Sequence, residues 1–132
     1  MFAVLQGDES LAREIAEQER LLASTLTFLE GHRALLRALN NREIPPRVYT
    51  ALKKQMSDIE QSCALRAIDQ PVLSRAREPF FVEPVRSLDA IHLATIDLAK
   101  AAGLELVFST DPRVAQNADA MGLRVRPAAA SA

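Results

Sequence analysis

The pattern of apolar and polar residues predicts a helix followed by a short strand at the start of the chain. Asp8 can cap this helix, because a carboxylate accepts hydrogen bonds from the free N–H groups of a first turn. The helix's apolar stripe, at helical spacing, is Leu11, Ala12, Ile15 and Ala16. The run LLAST at residues 21–25 then has the length of a strand.

Two longer helices are predicted next. The first is capped by Thr25 or Thr27 and ends at the asparagine pair of residues 40–41. The second begins at the prolines of residues 45–46 and reaches Glu60. The side chains expected to face inward from these two helices are Phe28, Leu35, Leu39, Val48, Leu52 and Ile59.

A second strand, at residues 64–68, and three further helices are predicted beyond that point. Pro71 opens the first of these helices, and Ser87 caps the second, which runs over residues 88–102. Gly103 follows at the position where a left-handed residue ends a helix. The third helix begins with Asp111 and Pro112 and ends at Gly122. It lies between strands at residues 104–108 and 124–126.

This alternation of helices and strands predicts an α/β fold. The connections are short, and the strands are nearly continuous apolar runs, which favours a mostly parallel sheet covered on both faces. With 132 residues the chain has the size of one domain, which we assign to residues 1–126, followed by a flexible C-terminal tail at residues 127–132.

Composition narrows the class of protein. The apolar runs are too short to cross a membrane, and the N-terminus lacks the pattern of a secretory signal. The lone Cys63 cannot form an internal disulfide, which fits a cytoplasmic location. The net charge of −1 disfavours a protein that coats nucleic acid through a basic surface.

Three acidic residues lie at or near the carboxyl ends of predicted strands, where parallel sheets place functional groups. Glu30 lies one turn into the helix after LLAST, Asp89 heads the helix after residues 80–85, and Asp111 follows a strand directly. Each also has a purely structural interpretation. Glu30 can pair with nearby arginines, Asp89 can interact with the helix dipole, and Asp111 can cap a helix.

A shared role for these carboxylates requires a positive charge between them. Two carboxylates about 4 Å apart repel each other by roughly 4 kcal/mol at an effective dielectric constant of about 20. Oxygen ligands without a thiolate or imidazole cluster favour Mg²⁺ or Mn²⁺ over zinc. Such ions suit phosphodiester hydrolysis.

Two stretches of the chain resemble PIN-domain proteins, in particular VapC-type toxins of bacterial toxin/antitoxin pairs. Residues 85–125, which contain LDAIHLAT and then a strand ending in STD, are similar to the C-terminal half of that family. Residues 24–39 are similar to its second acidic motif. With the helices between them, the resemblance covers nearly the whole chain.

The resemblance implies a three-layer α/β/α fold and a metal-dependent endoribonuclease that hydrolyses RNA. The family's second, third and fourth acidic positions match Glu30, Asp89 and Asp111, which would hold Mg²⁺ or Mn²⁺. The hydroxyl residue before the last acid matches Thr110. The resemblance also implies a homodimer and a cognate antitoxin whose peptide blocks the acidic groove.

The chain departs from the family at its N-terminus. The family's central first strand ends in an Asp followed by Ser or Thr, whereas MFAVLQGDE resembles the start of the following helix. Another alignment makes residues 1–5 that strand, still without an acid at its end. Asp8 is no substitute, because it falls beyond that helix start. A misassigned start codon, a degenerate protein or a strand supplied by a partner would each explain the departure.

Further residues keep two interpretations. Arg33, Arg37 and Arg86 can bind RNA phosphates or form surface ion pairs. His92 is expected to be a packing residue of its helix that makes a local hydrogen bond, with a general base as the alternative, and Asp97 is expected to face solvent. An alternative function is a catalytically inactive PIN-like module that docks a partner or RNA, and a third hypothesis is an α/β signalling domain with a Mg²⁺ site.

Overall fold

The structure of the protein is a computed structural model that describes residues 13–15, 17 and 20–126. The described chain is a mixed α/β protein, which confirms the predicted class. Its helices and strands, in chain order, are β1 (Leu21–Ser24), α1 (Thr25–Asn40), α2 (Pro46–Ser62), β2 (Cys63–Arg66), α3 (Gln70–Ala76), α4 (Ser87–Ala101), β3 (Leu106–Phe108), α5 (Pro112–Ala120) and β4 (Arg124–Arg126).

The strands form two separate two-stranded sheets, and both are parallel. In the first sheet Leu21 lies opposite Cys63, and β1 pairs with β2 along its whole length. In the second sheet β3 pairs with β4, with Val107 opposite Val125. Helices connect the strands of each pair, as parallel pairing requires.

The chain divides into two compact units, with the boundary between Arg66 and Ala67. We call them the N-terminal unit and the C-terminal unit. The N-terminal unit contains β1, α1, α2 and β2, and the C-terminal unit contains the remaining elements. A single domain over residues 1–126 stays a prediction.

The core of the N-terminal unit forms where α1 packs on α2. Leu35 of α1 and Met56 of α2 are completely buried, because each lies on the apolar stripe of an amphipathic helix. Phe28, Ala38 and Ile44 complete the cluster. This packing confirms the inward positions that were predicted for Phe28 and Leu35.

The core of the C-terminal unit is centred on α4, which is rich in leucine and alanine. Leu93 and Ala94 are completely buried there, and α3 packs against α4 through the buried Val72. Val107 of β3 and Ala118 of α5 belong to the same cluster. The unit therefore positions the first turns of both α4 and α5 on one continuous apolar core.

Three helices end with the same pair of backbone hydrogen bonds, known as the Schellman motif. At the end of α4 the N–H of Gly103 donates to Lys100 and that of Leu104 to Ala99, at 3.0 Å each. Helices α1 and α5 end in the same way, with Arg42 and Gly122 in the left-handed position. The predicted ends at Gly103 and Gly122 are thereby confirmed.

Several predicted boundaries shift by a residue or two. The cap of α1 is Ser24 and neither of the predicted residues, Thr25 and Thr27; its Oγ accepts from the Leu26 N–H at 3.2 Å. Ser87 is the first residue of α4 rather than its cap, which is Arg86. Asp8 and residues 127–132, for which we predict a cap and a flexible tail, lie outside the described residues.

Candidate functional site

Glu30 lies in the second turn of α1, in the N-terminal unit. Its side chain is half-buried, whereas Phe28 and Leu35 on the core side of the helix are buried. Arg33 follows three residues later and is exposed. This spacing brings Glu30 and Arg33 onto neighbouring turns, so the carboxylate lies beside a basic, solvent-facing part of the helix.

Asp89 is the acidic residue in the first turn of α4. It is half-buried, next to the buried Ala90, while Arg86 at the helix cap is exposed. The carboxylate therefore lies near the positive end of the helix dipole, where a negative charge is favoured. Residues 80–85, which precede this helix, are irregular and not a strand, so Asp89 does not follow the carboxyl end of a strand.

Asp111 is the cap of α5, three residues after the end of β3. Its Oδ1 accepts hydrogen bonds from the backbone N–H groups of Arg113 at 2.8 Å and Val114 at 3.2 Å. Both bonds go to the same oxygen, so the cap does not require Oδ2. Asp111 and Thr110 are both exposed. Asp111 therefore caps α5, and the residue is exposed to solvent three residues after the end of a parallel strand.

The three candidate metal ligands are distributed over both units, since Glu30 lies in the N-terminal unit and the two aspartates in the C-terminal unit. Their carboxylate oxygens are the donors that Mg²⁺ and Mn²⁺ prefer. Within the described residues, no three His, Cys, Asp or Glu side chains form a group that could hold a metal ion. Metal binding by these residues is therefore a hypothesis.

Asn117 of α5 is an organising residue that the sequence prediction missed. Its side chain is completely buried. Its Oδ1 accepts from the Val82 N–H at 2.8 Å, and its Nδ2 donates to the carbonyl oxygens of Val82 at 3.0 Å and Arg113 at 3.1 Å. One signal could have revealed it: Asn117 interrupts the apolar stripe of α5 between Val114 and Ala118.

Asp97 of α4 does not simply face solvent, contrary to our prediction. Its Oδ2 accepts a hydrogen bond from Arg75 Nε at 2.6 Å, and the pair joins α3 to α4. The guanidinium of Arg75 also lies 4.2 Å from the centre of the Phe80 ring. Arg75 therefore holds the beginning of the irregular segment against the two helices.

A shallow groove of about 440 Å³ lies beside this segment. Its apolar lining is formed by Ala76, Pro79, Phe80, Val85 and Ala90, and Glu78 and Glu83 are among its polar residues. The groove therefore reaches Ala90, the residue after Asp89, but neither Asp89 nor Asp111 is part of its lining.

The thiol of Cys63, the first residue of β2, has a raised pKa. Partial burial is the main cause, because it disfavours the charged thiolate, and the negative charge of Glu60 adds to the effect. A hydrogen bond with Ser62 acts in the opposite direction. A raised pKa leaves less thiolate at neutral pH, which disfavours nucleophilic chemistry at Cys63.

These features define a mixed α/β protein with parallel strand pairs and two aspartates, Asp89 and Asp111, at helix starts. Comparison of the chain with protein-family models, curated proteins and solved structures finds no match. Among the helices of the described part of the chain, none combines the length and the apolar character required to span a membrane.

Proposed function

We propose that the chain is a metal-dependent endoribonuclease of the PIN/VapC kind. The observation that carries the proposal is the environment of Asp111. An exposed carboxylate stands at the start of α5, three residues after a parallel strand, with Thr110 before it. The carboxyl ends of parallel strands are the usual location of functional groups in α/β proteins.

The proposed fold is a single PIN-like domain with three layers and a mostly parallel sheet whose first central strand is missing or replaced. Parallel pairing within both strand pairs supports this proposal, as does the helical connection between the strands of each pair. Parallel strands are usually buried on both faces by such helices.

In this hypothesis Glu30, Asp89 and Asp111 hold Mg²⁺ or Mn²⁺ through their carboxylate oxygens. A bound ion of this type activates water and neutralises charge on a phosphodiester. Arg33 and Arg86 would bind RNA phosphates, since both are exposed and guanidinium groups grip phosphate oxygens well. Thr110 would orient the same phosphate through its hydroxyl group.

The partners proposed for the protein follow from the same resemblance. They are an RNA substrate, a second copy of the chain and a cognate antitoxin whose peptide blocks the acidic groove. A cytoplasmic location goes with this set, because the RNA substrate and the antitoxin would both be present there.

A cleavage assay tests the proposal. Purified protein is incubated with RNA in Mn²⁺, in Mg²⁺ and in EDTA, and the products are resolved by electrophoresis. We expect cleavage that needs the metal and disappears in Asp89→Ala. Asp119→Ala is the matched control, because it removes an exposed carboxylate from the same unit outside the proposed site. Cleavage that persists in EDTA or in Asp89→Ala contradicts the proposal.

The cap role of Asp111 favours the alternative of a catalytically inactive module. Its two backbone hydrogen bonds give the residue a complete structural purpose without any metal. A filter-binding assay with RNA in EDTA separates the two functions. RNA binding without cleavage under any metal condition would support the module, whereas metal-dependent cleavage supports the nuclease.

A further inference from the structure

The middle of the irregular segment before α4, at Val82, is hydrogen-bonded to one buried side chain of another helix, Asn117 of α5. Asn117 offers its carboxamide to both backbone polar groups of Val82, accepting at 2.8 Å and donating at 3.0 Å. A carboxamide has the same donor and acceptor as a peptide group, so it takes the place that a neighbouring strand would have in a sheet. The backbone N–H and carbonyl of Val82 are thereby satisfied without strand pairing.

The third hydrogen bond of Asn117 fixes the side chain itself. Nδ2 also donates to the carbonyl oxygen of Arg113, one turn earlier in α5, at 3.1 Å. Both amide hydrogens and one lone pair of the oxygen are thus used, in a position that is completely buried. A side chain constrained in this way has one orientation, because leaving any of these groups unpaired in the core is costly.

We call the two hydrogen bonds between the Asn117 side chain and Val82 the clamp. The clamp joins the two segments that carry the aspartates of the C-terminal unit. Val82 is seven residues before Asp89 in the chain, and Asn117 is six residues after Asp111. The segment that contains Val82 leads into the first turn of α4. The helix that contains Asn117, α5, begins at its Asp111 cap. The hydrogen bonds to Val82 therefore join the chain before Asp89 to the helix that Asp111 begins.

We propose that Asn117 is a positioning residue, which sets the first turn of α4 relative to the first turn of α5. In the nuclease hypothesis, on which the functional part of this inference rests, it holds Asp89 and Asp111 at the separation that one metal ion requires. The geometric part is independent of the nuclease hypothesis. It concerns only the relative position of the two helix starts.

The test of the geometric part is a distance measurement. Spin labels are attached to Leu88→Cys in α4 and Gln116→Cys in α5, two exposed positions, in a Cys63→Ser background. We expect one narrow distance distribution that broadens in Asn117→Ala. Leu123→Ala is the matched control, because it removes packing from the same core without touching the clamp. Its distribution should stay narrow, at a temperature where all variants are folded. An equally narrow distribution in Asn117→Ala overturns the proposal.

Hydrogen exchange gives a second, local measurement. The Val82 amide should lose protection by roughly tenfold or more in Asn117→Ala, since its acceptor is removed, relative to Leu123→Ala at matched stability. Unchanged protection overturns the proposed clamp.

The functional part is tested by titrating Mn²⁺ into the wild-type, Asn117→Ala and Leu123→Ala proteins. Affinity should fall roughly tenfold or more in Asn117→Ala and stay near the wild-type value in Leu123→Ala, as expected for a residue that orients metal ligands. Equal affinity in both variants overturns this part. If the wild-type protein binds no Mn²⁺, the nuclease hypothesis has failed, and the distance measurement still decides whether Asn117 positions the two helices.

Discussion

Arg75 and Asp97 form an ion pair between α3 and α4, with Arg75 Nε and Asp97 Oδ2 2.6 Å apart. The two side chains are 24% and 35% exposed, so water screens this pair only in part. The Arg75 guanidinium also lies over the Phe80 ring. One side chain therefore links two helices and the beginning of the segment that leads to Asp89.

We expect Arg75→Ala to lower the free energy of unfolding by about 2 kcal/mol, because it removes a charged hydrogen bond and a cation–π contact. Lys54→Ala is the control. It breaks the Lys54–Asp58 pair, whose side chains are 78% and 61% exposed, and should cost no more than about 0.5 kcal/mol. Urea denaturation measures both values. Equal losses in the two variants would show that the Arg75 pair is no stronger than a surface pair.

Local signals explain which elements in the second half of the chain were predicted correctly. The Asp111–Pro112 start of α5, the glycine ends of α4 and α5 and the strand at residues 124–126 all match the structure. Each depends on the backbone preferences of one or two residues, such as the fixed φ angle of proline or the freedom of Gly103 at φ 106°.

Long-range contacts explain what the sequence did not predict. Residues 80–85 do not form a strand: the backbone N–H and carbonyl of Val82 bond the Asn117 side chain of α5, and the Phe80 N–H donates to the Glu83 carboxylate. Asp97 is polar within an apolar helix, and only the position of Arg75 shows that it is paired. Likewise, local patterns place Asp89 and Asp111 at helix starts and Glu30 in the second turn of α1, but they do not determine whether the three bind one ion.

The two roles of Asp111 can be separated by substitution. Asparagine caps helices as well as aspartate does. The free energy of unfolding of Asp111→Asn should therefore lie within about 0.5 kcal/mol of the wild-type value. The free energy of unfolding of Asp111→Ala should be about 1 kcal/mol lower, because the hydrogen bonds from the Arg113 and Val114 N–H groups are removed. Thermal denaturation measures both variants.

The nuclease hypothesis adds a second expectation for Asp111→Asn. The carboxamide keeps an oxygen for the cap but replaces the other carboxylate oxygen with an NH₂ group, which cannot bind a cation. Mn²⁺ affinity, measured by calorimetry, should fall roughly tenfold or more. Unchanged affinity in a stable Asp111→Asn protein would assign Asp111 to the cap alone.

The raised pKa of Cys63 predicts slow alkylation. The rate of reaction with iodoacetamide should reach half of its maximum above pH 9.0, the ordinary pKa of the thiol, because burial and Glu60 both disfavour the thiolate. Glu60→Gln should lower this midpoint, whereas Asp58→Asn, an exposed change in the same helix, should not. A midpoint at or below 9.0 in the wild-type protein contradicts the prediction.

The same shift predicts how stability depends on pH. The folded protein keeps the Cys63 proton at pH values where the unfolded chain has lost it. The thiol's contribution to stability is therefore fully present below pH 9.0 and decreases as the pH rises toward the folded pKa. Cys63→Ser should remove this decrease from a series of urea denaturation curves. A decrease of the same size in Cys63→Ser would assign it to another group.

The Schellman motifs of α1, α4 and α5 differ in the residue at the left-handed position, which is Arg42 in α1 and glycine in α4 and α5. Substitutions at this position should therefore change stability in opposite directions. Gly103 and Gly122 have φ angles of 106° and 86°, and a Cβ at either position would meet no atom within 4 Å. The cost of alanine there is therefore a backbone cost of about 1–2 kcal/mol, without a steric clash. Arg42 adopts φ 59° in the same motif and already bears this kind of cost.

Arg42→Gly should consequently unfold with a free energy about 1 kcal/mol higher than that of Arg42→Ala. This pair is the appropriate comparison, because both variants lose the charge near the negative end of α1 and only one keeps a Cβ. Urea denaturation of these two proteins and of Gly103→Ala measures the effect in both directions. If Arg42→Gly is no more stable than Arg42→Ala, the left-handed residue at the end of α1 is not strained, and the Cβ penalty inferred for the two glycine positions does not apply to this motif.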